Sequence, residues 1–198
     1  MYKDVEFVCA GNKGRSPLAE AFARRWLSQR SQIDYARLSS SGTLVDLLKS
    51  QDSTTQMKLA EPFIPKALEQ GIVTPELAEQ VRQGINIKEF LDLVFTEVRK
   101  REQEQRRYAL EERGLVAYWD LSRSARQTIA RPEAELIFPI GRDNYERTSE
   151  IYFASGFSPR VKLLGDIKDP ILATLEEYQE CVNQTEEAVE RVMVGYFR

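Results

Sequence analysis

The stretch that most constrains this chain is Cys9-Ala10-Gly11-Asn12-Lys13-Gly14-Arg15-Ser16-Pro17, where a thiol and a guanidinium flank five residues at the join of two different local patterns. Val5, Phe7 and Val8 are β formers, so Tyr2 to Val8 reads as a short strand. Ser16-Pro17 reads as a helix start, with Ser at the N-cap and Pro at the first helical position. A loop ending at a helix N-terminus gathers backbone amides around its centre and adds the positive end of the helix dipole, so it favours a dianion without a metal. The same field favours the thiolate of Cys9, the nucleophilic form. Gly11 and Gly14 admit backbone angles closed to other residues, and Asn12 is the next best residue for a left-handed turn. Arg15 can grip two oxygens of a tetrahedral anion with its planar fork, which Lys does less well. Ala10, Gly11, Asn12, Lys13, Gly14, Arg15 and Ser16 are therefore the candidate phosphate-binding residues. The plainer alternative is a buried structural Cys followed by a capped helix.

Composition limits what else the chain can do. It has 198 residues, 42% of them hydrophobic, enough for one well-buried core, so a single domain over 1–198 is expected. No histidine is present, which removes the Ser-His and Cys-His nucleophile systems and most zinc sites. No metal and no cofactor are expected. Two cysteines suit a reducing compartment rather than a disulfide scaffold, and no signal-like or membrane-spanning run of about 18 apolar residues appears. A cytoplasmic protein without a membrane partner is the expectation. The formal net charge of −3 argues against a dedicated nucleic-acid binder.

Along the chain, apolar Leu18, Phe22 and Trp26 recur at helical spacing, so Pro17 to about Gln29 is read as a helix packed on a sheet. Tyr35 to Ser41 is expected as the second strand, Pro65 to about Arg82 as a helix interrupted at Gly71, Leu91 to Thr96 as a third, buried strand and Val161 to Leu164 as a fourth. Arg99 to Arg113 mixes both charge signs and reads as a solvated helix, or, less plainly, as a recruitment surface for an acidic partner. Thr174 to Val194 carries the clearest helical stripe, with Cys181 beside it as a small core residue. Strands alternating with helices imply a parallel α/β sheet covered on both faces.

The order Val8-Cys9-x-Gly11-Asn12-x-x-Arg15-Ser16-Pro17-Leu18-Ala19-Glu20 resembles the phosphate loop of the low-molecular-weight protein tyrosine phosphatases. The resemblance implies a four-stranded, Rossmann-like parallel sheet with the phosphate loop after strand 1. It also implies phosphomonoester hydrolysis through a phosphocysteine on Cys9, with Arg15 and the loop amides holding the phosphoryl oxygens. The leaving oxygen needs a proton, and the resemblance places an Asp-Pro pair after the last strand. Asp169-Pro170 supplies it, with Asp166 as the competing carboxyl. Ser16 is expected to donate a hydrogen bond to the thiolate. The implied partners are a phosphotyrosine protein or a small phosphoester as substrate, and inorganic phosphate as product.

The resemblance thins between Val98 and Arg160, and residues 114–159 read as a helical insertion before strand 4. Gly14 stands where many relatives have a second Cys, and Glu97 follows the expected third strand where relatives often carry Asp. Ile171 and Leu172 follow Asp169-Pro170 where tyrosine-specific relatives are often aromatic, and Lys13 adds a cation to a position often apolar. Both features point away from strict tyrosine specificity. Two other readings remain at this stage: a non-catalytic phosphate- or phosphoprotein-binding module, and an arsenate reductase, for which only Cys181 is available as a further thiol.

Overall fold

A computed structural model describes residues 3–50, 52–120 and 122–197. The chain opens with β1 (Lys3–Cys9), α1 (Arg15–Ser28) and β2 (Ala36–Gly42), followed by a run of helices: α2 (Val45–Leu48), α3 (Ser53–Ala60), α4 (Ile64–Glu69), α5 (Pro75–Arg82) and α6 (Ile87–Arg107). It returns to the sheet with β3 (Leu136–Pro139), α7 (Arg142–Ser155), β4 (Arg160–Val161) and α8 (Leu175–Tyr196). Among the described residues the sheet has four strands in the order β2-β1-β3-β4, all parallel.

Alternation along β1 sends Val5 and Phe7 to one face, where they pack with Leu18 and Phe22 of α1 and Val182 and Val189 of α8. Each such side chain contributes about 1.5–3 kcal/mol by leaving water. Val8 points to the other face, with Ile137 and with Tyr152 of α7. Asp4 and Glu6 share that face and are buried, each paired with Arg131. Burial alone would lower the Arg131 guanidinium, but the Glu6 and Asp4 carboxylates outweigh it and hold it above its ordinary value.

Three expectations change. Leu91 to Thr96 is not a strand but part of α6, because Ile87, Phe90, Leu91 and Val94 form one buried helical stripe. The third strand is Leu136–Pro139, so residues 114–159 are not an excursion: they contribute β3 and α7 to the central sheet. A distinct helical layer lies earlier, in α3 to α6, and has its own core built around Ala60, Ile64, Leu77, Phe90 and Val94. The break expected at Gly71 is there, with a left-handed φ of 65° between α4 and α5. The fourth strand pairs only at Arg160–Val161, although the Lys162 and Leu164 amides still reach the Ile137 and Pro139 carbonyls at 2.9 and 2.8 Å. The charged run after Val98 pairs largely with itself, Glu97 with Arg101 and Glu102 with Arg106. Glu97 is thus a helix residue of α6 and follows no strand.

Candidate active site

Cys9 ends β1 and Gly42 ends β2, side by side in the parallel register. The Thr43 and Leu44 amides then donate to the Cys9 and Ala10 carbonyls, both at 2.9 Å, and tie down the first turn of the loop. Gly42 is glycine for want of space. A Cβ there would lie 2.4 Å from the Ala10 carbonyl oxygen and 2.7 Å from the Asn12 amide nitrogen. With those carbonyls turned toward β2, the amides of Gly11, Asn12, Lys13 and Gly14 donate to no backbone carbonyl among the described residues. Free backbone donors at the start of a helix are the kind of group that can bind an anion.

Asn12 takes the left-handed conformation, φ 52°, while neither Gly11 nor Gly14 does. Gly11 instead provides clearance, since a Cβ would sit 3.3 Å from Leu48 Cδ1. The buried Asn12 side chain donates to Ser16 Oγ (3.1 Å) and Ser40 Oγ (3.0 Å) and accepts the Arg126 amide (2.9 Å). The helix starts two residues earlier than the sequence suggests, at Arg15, with Gly14 as an N-cap that offers no side chain. Ser16 does not cap because its hydroxyl is engaged elsewhere: it donates to the Ser41 carbonyl (3.0 Å) and lies 3.0 Å from Cys9 Sγ. A hydroxyl has one proton to give. While Ser41 receives it, the Cys9 thiol is the donor to Ser16, and a thiolate would draw the Ser16 proton round to sulfur.

Arg15 is buried and faces the segment between β4 and α8. Its Nη1 donates to the Ile167 carbonyl at 2.7 Å, and its Nη2 bonds the Asp169 carboxylate. The Asp169 side chain is 40% exposed, and its Oδ1 accepts the Ile171 amide at 3.2 Å. Asp166 contacts the Arg142 amide, 3.4 Å away at the start of α7, rather than Arg15. Of the two carboxyls, Asp169 is therefore the one that shares the guanidinium of the phosphate loop. Lys13 is exposed and borders a cleft of about 620 Å³ with Glu20, Arg24, Arg106, Tyr118 and Arg123. Cys181 is buried in α8, and burial pushes its thiol up to about 11.

Two further side chains support the site from distant parts of the chain. Arg123 ties Glu20 of α1 (3.1 and 2.9 Å) to Ser40 Oγ of β2 (2.6 Å), the hydroxyl that also accepts from Asn12. Asn144 joins the ends of β3 and β2, donating to the Ile140 carbonyl (2.7 Å) and accepting from Thr43 Oγ1 (2.9 Å). A signal for the second was present: Phe138-Pro139-Ile140-Gly141 is a strand running into glycine and then a helix, as at Cys9 to Arg15. Gly141 has a left-handed φ of 86° and its amide meets the Gly165 carbonyl at 2.9 Å, which links that turn to the Asp169 segment.

The sequence profile of the family described as low molecular weight phosphotyrosine protein phosphatase matches residues 4–150, from β1 into α7. The chain belongs to that family. It is a cysteine-dependent phosphatase, with the four-stranded parallel sheet that the family resemblance implied. Solved structures of the same fold include a Drosophila arginine phosphatase (18% identity, TM-score 0.58, 98% of each chain covered). Wzb of Vibrio vulnificus, solved with benzylphosphonate, aligns at 14% identity and TM-score 0.56 over 98% of this chain and 99% of its own. A tyrosine phosphatase of Entamoeba histolytica with Hepes in its active site aligns at 14% and 0.53, over 97% and 95%. None of the curated proteins matches the chain significantly. Among the described residues, no helix of this phosphatase is long and apolar enough to cross a membrane.

Proposed function

We propose that the chain hydrolyses phosphomonoesters with Cys9 as nucleophile, Arg15 and the amides of Ala10 to Ser16 as phosphate ligands, and Asp169 as general acid. The Cys9 thiolate attacks phosphorus and the P–O bond to the leaving group breaks, giving phosphocysteine. Arg15 and the loop amides stabilise charge on the equatorial oxygens. Asp169 gives its proton to the departing oxygen, then takes one from the water that releases inorganic phosphate. The Ser16 hydroxyl, 3.0 Å from sulfur, steadies the thiolate both as attacking and as leaving group. Lys13, exposed on the loop, adds a cation at its rim. Neither metal nor cofactor takes part, and the α3–α6 layer and the sheet act as one catalytic domain in a reducing, cytoplasmic setting.

The observation that carries this reading is the convergence on Arg15. The residue that starts the helix above Cys9 also holds Asp169, which brings nucleophile loop and acid together from opposite ends of the chain. The substrate is a phosphotyrosine protein or an aryl-like small phosphoester. Leu48 lies against the loop at Gly11, and Leu47 beside it is exposed, so the mouth has an apolar wall. The sequence argument against tyrosine from Leu172 loses force, because that side chain is buried among the α3–α6 helices and is not presented to substrate. Among the structural relatives one is an arginine phosphatase and another a tyrosine phosphatase, so the choice rests on this chain's own mouth.

The test is direct. The protein should hydrolyse p-nitrophenyl phosphate in the presence of a chelator and be inhibited by vanadate. Cys9→Ser should lower turnover by about 10⁴–10⁶-fold while phosphate binding persists. Phosphate binding without turnover by the wild type over about pH 5–8 would replace the hydrolase with a binding module.

A further inference from the structure

The segment that carries Asp169 is anchored at its two ends in two different cores. Upstream, Ile167 is buried with α1 and α8 in the sheet core, and its carbonyl accepts from Arg15. Downstream, Leu172 is buried in the separate core of the α3–α6 layer, with Ile171 packed against it. Among the described residues, Leu172 is the one buried member of that core from outside residues 60–94. Its backbone is left-handed, φ 56°, a conformation that a branched side chain adopts when its surroundings impose it.

The surroundings are explicit. The Leu172 carbonyl accepts from Arg101 Nη1 (2.7 Å) and Gln70 Nε2 (2.9 Å), and the Ala173 carbonyl from Gln105 Nε2 (3.3 Å). Arg101 is in turn oriented by Glu97 at 2.9 Å, and that hydrogen bond helps to hold the Glu97 carboxyl below its ordinary value. On the far side of the same turn, Lys66 of α4 reaches Glu177, the residue that closes the capping box of α8. Two half-buried side-chain hydrogen bonds to the Leu172 carbonyl and one apolar seat therefore fix where the chain leaves Asp169-Pro170, while among the described residues the Asp169 carboxyl itself has only Arg15 and the Ile171 amide.

We propose that the α3–α6 layer is the positioning device for the general acid: Arg101, helped by Gln70 and by the seat of Leu172, sets the reach of Asp169 toward the phosphate loop without touching substrate. This rests on Asp169 being the acid. A positioning role makes a signature that loss of folding does not. Proton donation matters most when the leaving oxygen is a poor leaving group, so a misplaced acid slows phenyl phosphate far more than p-nitrophenyl phosphate.

The experiment measures kcat/KM for both esters in the wild type, Arg101→Met, Asp169→Ala and the double variant, with vanadate inhibition as a readout of the phosphate loop. Arg101→Met is expected to slow phenyl phosphate by about 10-fold to 10²-fold, p-nitrophenyl phosphate by only about 2-fold, and to leave vanadate inhibition unchanged. Arg101→Lys, which retains one donor, should recover part of the loss. In the Asp169→Ala background, Arg101→Met should do nothing further. Equal slowing of both esters, or the same extra loss with and without Asp169, overturns the proposal. If Asp169→Ala itself shows no preference between the esters, the reading of Asp169 falls and takes the proposal with it; a normal preference there beside a flat Arg101→Met sinks the positioning role alone. Should Arg101→Met fail to fold, Leu172→Gly keeps the left-handed backbone and removes only the apolar seat, and it must show the same selective loss.

Discussion

The phosphate loop and the Asp169 segment meet at one guanidinium yet are built on opposite plans. The loop is held at the carboxyl edge of the sheet by polar contacts, the buried Asn12 side chain to Ser16, Ser40 and the Arg126 amide, and the more exposed Arg123 to buried Ser40 and Glu20. The Asp169 segment hangs between two hydrophobic cores by Ile167 and Leu172, with the Asp169 carboxyl 40% exposed. A buried, fully paired polar network specifies one geometry, because each broken link strands a group away from water. Tethering by distant packing leaves the Asp169 carboxyl exposed to solvent and dependent on helices far away in sequence. Anion affinity and proton donation should accordingly fail separately when the two regions are damaged.

The largest effect expected on the acid side comes from Asp169→Ala. It should cost about 10²–10⁴-fold in kcat/KM for phenyl phosphate and much less for p-nitrophenyl phosphate. Vanadate inhibition should not weaken, because Arg15 loses a competitor for its Nη2 rather than a support. Weaker vanadate binding would mean that the carboxylate helps to shape the phosphate loop, and the separation would be wrong.

Gly42→Ala strikes the other region. Its methyl would sit 2.4 Å from the Ala10 carbonyl oxygen and 2.7 Å from the Asn12 amide nitrogen, both backbone atoms, so the loop itself must move. A displacement of that kind should lower activity by about 10²-fold on good and poor leaving groups alike, with vanadate inhibition weakened in step. A leaving-group-dependent loss would break the comparison from this side.

Asn12→Ala is smaller and reads in stability as well as in activity. It leaves Ser40 Oγ and the Arg126 amide without their Asn12 partner and puts a less tolerant residue at φ 52°. Stranding such groups costs about 1–3 kcal/mol, measurable by denaturant melting, with activity falling equally on both esters.

What could be read from the sequence follows the same division. The phosphate loop was legible because strand, turn and helix are contiguous, so nine consecutive residues from Cys9 to Pro17 state both their geometry and their chemistry. Even there Ser16 was misread as a cap, since its real partners, Cys9 and the Ser41 carbonyl, come from the ends of two strands. Arg123 and Arg126 lie more than 80 residues from what they hold, and nothing local marks them. The third strand was misplaced because Leu91 to Thr96 is apolar and β-prone in a short window. Only the longer span from Ile87 to Val94 shows the helical spacing that decides it. The true strand, Leu136-Ile137-Phe138-Pro139, is buried on both faces and too short for any period to show. Asp169 is a candidate by type and place, but what holds its segment is not legible, because the sequence sets Leu172 beside substrate and only the assembled α3–α6 core shows it buried.

The smallest effect probes that layer at its exposed edge, where Asp52 caps α3. Its Oδ1 accepts the Thr55 amide at 2.8 Å and its Oδ2 accepts from Ser50 Oγ at 2.6 Å. Those bonds, the Ser50 contact first and then Thr55, hold the carboxyl at about 2 against an ordinary 3.8. A carboxyl lowered on folding contributes stability above its unfolded value and loses it as pH falls through the folded one. Asp52→Ala should therefore melt at a lower temperature than the wild type near neutral pH, with the gap closing as pH drops from about 4 toward about 2. The cap is fully exposed, so the gap should be modest and shrink with added salt. Because α3 packs into the core that seats Leu172 and lies outside the network that holds Asn12, any kinetic trace of this variant should appear with phenyl phosphate and not in vanadate inhibition. A change in vanadate inhibition alone would show that the helical layer reaches the phosphate loop by a route other than Leu172, through α2 and Leu48, which lies against Gly11.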